Sequence, residues 1–233
     1  MVPAVHLLRH DPNPERTVAL AARLCYSARG VADLDRDLSD REVSGLVDKL
    51  MTMGHFSALE HAQFVFGVEG ISRACSHQLV RHRIASYSQQ SQRYVRLREV
   101  RAVVPPQVAA HPEHGPRFRR ALEELWELYA RMVDDGIEPE DARYLLPNAC
   151  ETKLVVSMNA RELHHFFSLR LCRRAQWEIR ALALGMLRAV RPLAPRLFRD
   201  AGPGCVRGGC PEGSYTCGKP DEVRRELAQA LEA

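Results

Sequence analysis

Apolar positions along the chain recur with two alternating periods, and each period predicts a different element. Between residues 14 and 28, Val18, Ala21, Ala22 and Cys25 fall at helical spacing, which predicts an amphipathic helix. Ser39 followed three residues later by Glu42 has the form of a capping box, opening a second helix that Gly54 is placed to end. Ser57 and Glu60 repeat the capping pattern before a short helical turn. From 63 to 68 the period drops to two, with Phe64, Phe66 and Val68 on one face, so a strand is predicted. Residues 71–82 return to helix, with Ile71, Ala74, Cys75 and Leu79 sharing a face. Residues 95–104 alternate with one break and close on Pro105 and Pro106, which predicts a second strand. A strongly amphipathic helix over 118–133 turns Phe118, Leu122, Leu125, Tyr129 and Val133 inward. A short strand over 153–157 follows. Asn159 then caps a helix with Glu162 at its third position, and a long helix over 172–190 stops before Pro192.

This order of elements predicts an α+β fold, with a central antiparallel sheet flanked by helices. The 233 residues, 45% of them hydrophobic, are ample for one core. By length one domain is as likely as two, and residues 201–233 are expected to be a tail rich in glycine, proline and cysteine, a loop and not a core element. No Gly-x-Gly-x-x-Gly joins a strand to a helix, so a Rossmann nucleotide site is not supported. There is no run of about 18 apolar residues, and no membrane association is expected. The first residues lack the apolar core and cleavage site of a secretory signal. Seven cysteines, an odd count, argue for free thiols and a cytoplasmic location. Cys205, Cys210 and Cys217 are three where zinc needs four ligands. Cys150, Cys172 or a neighbouring subunit is needed to complete a set, and no metal is assigned.

The net charge of +4 is carried almost wholly by arginine, since Lys49, Lys153 and Lys219 are the only lysines. Residues 81–94 concentrate Arg81, Arg83 and Arg93 with His82, three serines and three glutamines. A helix ending at Arg81-His82-Arg83 would place cations at its C-terminal dipole, which is favourable by itself by about 0.3–1 kcal/mol. The same residues also suit chemistry. Arg93 with Ser91 and loop amides can hold a phosphate. Gln78, Gln89 and Gln90 can both donate to and accept from a base edge. Arg81, His82 and Arg83 can face a flavin's pyrimidine edge and phosphates. A nucleic-acid patch is a rival, without a lysine-rich face or aromatic platform to support it, and no nucleic acid is expected. A serine nucleophile with His82 as base is another, without a Gly-x-Ser-x-Gly turn or a paired acid. A solvated loop also fits, and the residues alone leave these readings open.

Arg81-His82-Arg83, seven residues, then Ser91, continued by Gln92-Arg93-Tyr94, resembles the signature of the flavin-dependent thymidylate synthases. His55-Phe56-Ser57-Ala58-Leu59-Glu60-His61 is similar to an earlier segment of that family. Asn159-Ala160-Arg161, Leu169-Arg170 and the run from Arg174 through Arg180 are similar to later ones.

The resemblance implies reductive methylation of deoxyuridine monophosphate to thymidylate. The carbon would come from 5,10-methylenetetrahydrofolate and the hydride from tightly bound FAD, which NADPH recharges. It implies an α/β fold, a single catalytic domain over 1–200, and a homotetramer with sites between subunits. By matching positions, Ser57, Arg81, His82, Arg83, Gln89, Asn159, Arg161 and His165 are expected to bind FAD. Gln78, Arg81, Gln89, Gln90, Ser91, Gln92, Arg93, Arg143 and Arg170 are expected to bind the nucleotide. Arg170 is the expected catalytic residue, and Ser91 a ligand, not a nucleophile. Gln89 departs from the glutamate that many members carry, and His165 and Arg174 stand where other polar residues are known.

Overall fold

A computed structural model describes residues 3–232 of the chain. The first half contains strand β1 (Ala4–His10), helices α1 (Pro14–Leu24), α2 (Val31–Asp37) and α3 (Asp40–Met53), a 3-10 turn (Phe56–His61), strand β2 (Gln63–Ser72) and helix α4 (Arg73–Leu79). Strand β3 (Ala85–Gln89) is followed by helices α5 (Pro106–Ala110), α6 (His114–Asp134) and α7 (Pro139–Ala142). Strand β4 (Glu151–Asn159) and helices α8 (Ala160–Arg170), α9 (Trp177–Val190), α10 (Gly204–Arg207) and α11 (Pro220–Glu232) complete it.

The strands form one antiparallel sheet in the order β1-β2-β4-β3, flanked by helices as predicted. The central pair carries the core. Phe64 lies opposite Met158, Phe66 opposite Val156 and Val68 opposite Leu154, and all six are buried. A period of two keeps such a row on one face, and a one-residue slip would turn it to solvent. Leu163, Phe166 and Phe167 of α8 join this core, with Ile179, Leu182 and Met186 of α9 and Val18 and Val47 of α1 and α3. Each such side chain contributes roughly 1.5–3 kcal/mol by leaving water.

Predicted caps form where the side chains can reach. Ser39 and Glu42 make the capping box of α3, and Gly54 ends it at φ 71°, a left-handed position suited to glycine. Asn159 accepts from the Glu162 amide at 2.8 Å and opens α8. The Ser57–Glu60 pattern makes no cap, because the turn there is a 3-10 helix that opens after His55 without a side-chain bond.

Other elements differ from the periodicity. Residues 71–82 are not one helix: β2 continues through an irregular register to Ser72, whose hydroxyl accepts from the Cys75 amide at 3.0 Å and opens α4 there. Residues 95–104 make no strand. Leu97 and Val104 pack instead with Phe118, Leu122 and Trp126 of α6, and pairing reduces to a single bridge between Ala102 and Cys150. Edge strand β3 was missed because Ala-Ser-Tyr-Ser-Gln has no large aliphatic row, and β1 because most of its residues are exposed. The helix predicted from residue 172 starts at Trp177, where the Gln176 side chain accepts from the Glu178 and Ile179 amides, both at 3.1 Å. Residues 201–232 are not an irregular tail. Ala201 belongs to the core, Leu227 and Leu231 pack against it, and Arg173 pairs with Glu222 and Glu226 of α11.

Glu178, only 2% exposed, ties α9 to the end of β2 by accepting from the Ser72 amide and hydroxyl, both at 2.6 Å. Removing the carboxylate leaves two buried donors without partners. Glu178→Ala is therefore expected to lower stability by about 2–4 kcal/mol. Urea unfolding with an unchanged m-value is the check, and a midpoint equal to the parent's would contradict this bonding.

Candidate active site

The turn after α4 is fixed from three directions. Ser72 starts the helix, and the Leu79 carbonyl accepts from the His82 amide at 3.1 Å. The Tyr87 hydroxyl on β3 lies 2.9 Å from the Leu79 carbonyl and 2.8 Å from that of His82, sharing one proton between them. Arg81 and Arg83 consequently point to solvent, and neither enters an ion pair among the described residues. His82 turns inward and is 3% exposed. Its ring meets Phe166 edge-on at 4.9 Å and His165 at 5.6 Å.

Both nitrogens of His82 have partners. Nδ1 lies 3.2 Å from Oε1 of Glu162, itself 4% exposed, and Nε2 accepts from Nε of Arg170 at 3.0 Å. Arg170 also donates from Nη2 to the Gln78 carbonyl at 3.3 Å. Burial, with the adjacent Arg170 cation and His165, pushes the His82 imidazole down to about 4. Burial raises the Glu162 carboxyl and lowers the Arg170 guanidinium. His82, Glu162 and His165 are the one group of three metal-capable donors among the described residues. The bonds of His82 to a carboxylate on one side and a cation on the other oppose its use as a ligand.

A cleft of ≈ 550 Å³ opens beside this chain of bonds, lined by Asn159, Arg161, Glu162, His165 and Ser168 of the α8 region, with Phe56, Glu60, Ile84 and Arg207. A flavin dinucleotide needs cations for its phosphates, polar groups for its ring edge and apolar walls for its flat rings. The cleft has all three, so the donor set fits. Arg161 is paired with Glu60. Gln89 lies apart, donating to the Ser76 and Thr152 hydroxyls, both at 3.0 Å. Ser57 lines a separate recess with His55 and His61.

The expected nucleotide residues divide. Gln78 joins Arg170, as above. Gln92 and Arg143 line an open cleft of ≈ 270 Å³ with Arg73 and His77. Arg93 holds Glu140 with Nε at 2.9 Å and Nη2 at 2.7 Å, while its own amide donates to Ser91 Oγ at 3.1 Å. Gln90 faces another recess with Lys153 and Trp126.

The model of the family described as thymidylate synthase complementing protein matches residues 6–196. A flavin-dependent thymidylate synthase of Geobacter sulfurreducens is 59% identical over 223 residues, covering 95% of this chain and 96% of its own. The chain belongs to the flavin-dependent thymidylate synthase family. A member from Pyrococcus furiosus is 41% identical, with 89% of each chain covered. Among solved structures, a UMP/dUMP methylase, PolB, from Streptomyces cacaoi, bound with 5-Br dUMP, superposes with a TM-score of 0.74 at 27% identity, covering 84% of this chain and 93% of that one.

Two groups at the site of this family member escaped the sequence reading. Glu162 was visible only as the third residue of a capped helix, a role that its amide fills while its side chain faces His82. Arg207 stood in the segment read as a tail. Its Nη2 donates to Nδ1 of His164 at 2.7 Å, and Nε2 of His164 donates to the Leu197 carbonyl at 2.8 Å. His164 lies between the rings of Phe56 and Phe198, 6% exposed and pushed down to about 4, first by burial and then by Arg207.

Two imidazoles held neutral have a consequence for acid stability. Their folded values near 4 lie below the ordinary 6.5, so the unfolded chain binds more protons between these limits. Their contribution, on the order of 3 kcal/mol each, is whole above pH 6.5 and is lost as pH falls toward 4. The raised Glu162 carboxyl acts in the opposite sense and offsets part of the loss. Melting temperature is expected to drop across this window, and a flat or rising profile would contradict the neutral pair.

Proposed function

We propose that the chain is a flavin-dependent thymidylate synthase, methylating deoxyuridylate with the carbon of methylenetetrahydrofolate. The observation that carries this reading is its near full-length identity to relatives of that name. When bound, FAD supplies the hydride, and NADPH restores it.

The protein's part is binding and electrostatics. Arg170 uses two of its five N–H groups on His82 and Gln78, which leaves three for a ligand. Directed at O2 and N3 of the uracil, they stabilise the negative charge that develops as C6 accepts hydride. This is the catalytic role we assign to Arg170. Arg93, Arg143 and Ser91 hold the phosphate, with Arg81 beside them. Gln78, Gln89, Gln90 and Gln92 hold sugar and base. Ser91 has no activating base among its hydrogen-bond partners and acts as a ligand. Asn159, Arg161 and His165, with Arg81, Arg83, Gln89 and Ser57, hold FAD, while His82 acts from within the protein.

One chain distributes these residues over separate open recesses, and Arg81 and Arg83 face outward. That supports a homotetramer in which neighbouring subunits complete each site. Among the described residues no helix is long and apolar enough to cross a membrane. We place the enzyme in the cytoplasm.

The purified protein is expected to be yellow and to release tritium from C5-labelled deoxyuridylate only when methylenetetrahydrofolate and NADPH are both present. Flavin-loaded protein with no release would overturn the proposal. Arg170→Ala should retain flavin yet lose about 100- to 1000-fold in kcat, the usual effect of removing one preorganised donor. Single-turnover rates measure this, and a rate near the parent's would remove Arg170 from the chemistry.

A further inference from the structure

Helix α8 presents Glu162, Phe166 and Arg170 four residues apart, hence on one stripe, and the ring of His82 lies along it. The imidazole and phenyl rings meet edge to face at the middle of the stripe, and the two ring nitrogens reach the charged groups at either end. We propose that Glu162 positions the guanidinium of Arg170 through His82, by holding the imidazole in its Nδ1–H tautomer. The inference rests on Arg170 acting on the nucleotide, as proposed above.

The argument follows from donors and acceptors. A guanidinium can only donate. The His82 nitrogen 3.0 Å from Arg170 Nε must therefore be bare, and a neutral imidazole must carry its one proton on the other nitrogen. That nitrogen faces the Glu162 carboxylate at 3.2 Å, which accepts the proton's bond. In the opposite tautomer, an N–H would meet an N–H across the first contact, and a bare nitrogen would meet a carboxylate across the second. Two bonds become two repulsions, in a place nearly closed to water. Arg170 would then keep only the longer bond to the Gln78 carbonyl, at 3.3 Å, and would swing away from its aim.

Glu162 is itself held in place for this role. Its amide is bonded to the capping Asn159, and its charge stands at the N-terminal turn of α8, where the helix dipole favours an anion. A carboxylate there needs no further partner to support the helix. Its orientation toward His82 is therefore a second function of the same residue, distinct from the cap.

Histidine-selective ¹⁵N spectra of the flavin-loaded enzyme, with His82 assigned from a His82→Gln variant, read the tautomer directly. The expected parent state is Nδ1–H. An Nε2–H signal for His82 overturns the proposal whether or not any variant folds. Glu162→Ala is expected to move His82 toward Nε2–H and to lower kcat by at least about 10-fold, the lower end for losing a group that orients a reactive one. Flavin content and the KM for deoxyuridylate should stay near the parent's. Glu162→Gln, which keeps an acceptor oxygen at the same place, should restore the tautomer and most of the rate. A Glu162→Ala enzyme that merely melts earlier, with parent kcat per bound flavin, overturns the positioning role. If the parent makes no thymidylate, the proposed function fails instead, and the spectra still decide the tautomer.

Discussion

The antiparallel pairing of β2 with β4 is the constraint on which the rest depends. It sets Ser72 opposite Glu151 at one end and Gln63 opposite Asn159 at the other. Helix α4 leaves the first end and α8 the second, each opened by the side chain of its strand's last residue. Entering from opposite ends of one strand pair, they bring the turn after α4 onto the side of α8. His82 can then bond to both Glu162 and Arg170. A slip of one residue in this register would break the core and the bonds of His82 together, because the same strands set both.

Buried neutral histidine is a recurring device around the cleft. His82 accepts from Arg170 and His164 from Arg207, and each uses its other nitrogen on a fixed oxygen. Each guanidinium needs an acceptor beside the buried ring, and a carboxylate there would neutralise its charge. An imidazole offers a directed lone pair and leaves the positive charge intact. Burial that keeps the ring unprotonated also strengthens the bond, since both act through a low local dielectric. Arginine is aimed here without being paired.

Elements whose side chains sort cleanly between core and solvent were legible in the sequence. The Phe64-Phe66-Val68 row, the Ser39 box with Gly54, and the Asn159 cap each depend on neighbours within a few residues. Strand β3 was not legible, because an edge strand held by Tyr87 and polar alternation has no aliphatic face to report. Residues 95–104 alternated as a strand does but found their apolar surface on α6, a partner distant in sequence. For the site, the motif residues could be named, while their grouping could not. The Glu162-Phe166-Arg170 stripe is spaced at four, yet nothing in that spacing says that a histidine 80 positions earlier in the chain lies along it.

The arginine-rich composition resolves once partners are known. Arg93 and Arg161, both expected to bind anions, are paired with Glu140 and Glu60, whereas Arg81, Arg83 and Arg170 have no carboxylate partner among the described residues. Those two pairs are about half exposed on both sides, and exposed pairs contribute only about 0–1 kcal/mol. Such a bond is too weak to exclude a phosphate, which offers more charge and several acceptor oxygens to the same planar fork. In the proposed function the glutamates are therefore placeholders that yield to the ligand. In the role proposed for it Arg170 cannot use that device, since its charge must stay free for the nucleotide, and for it the neutral histidine takes the place of the acid.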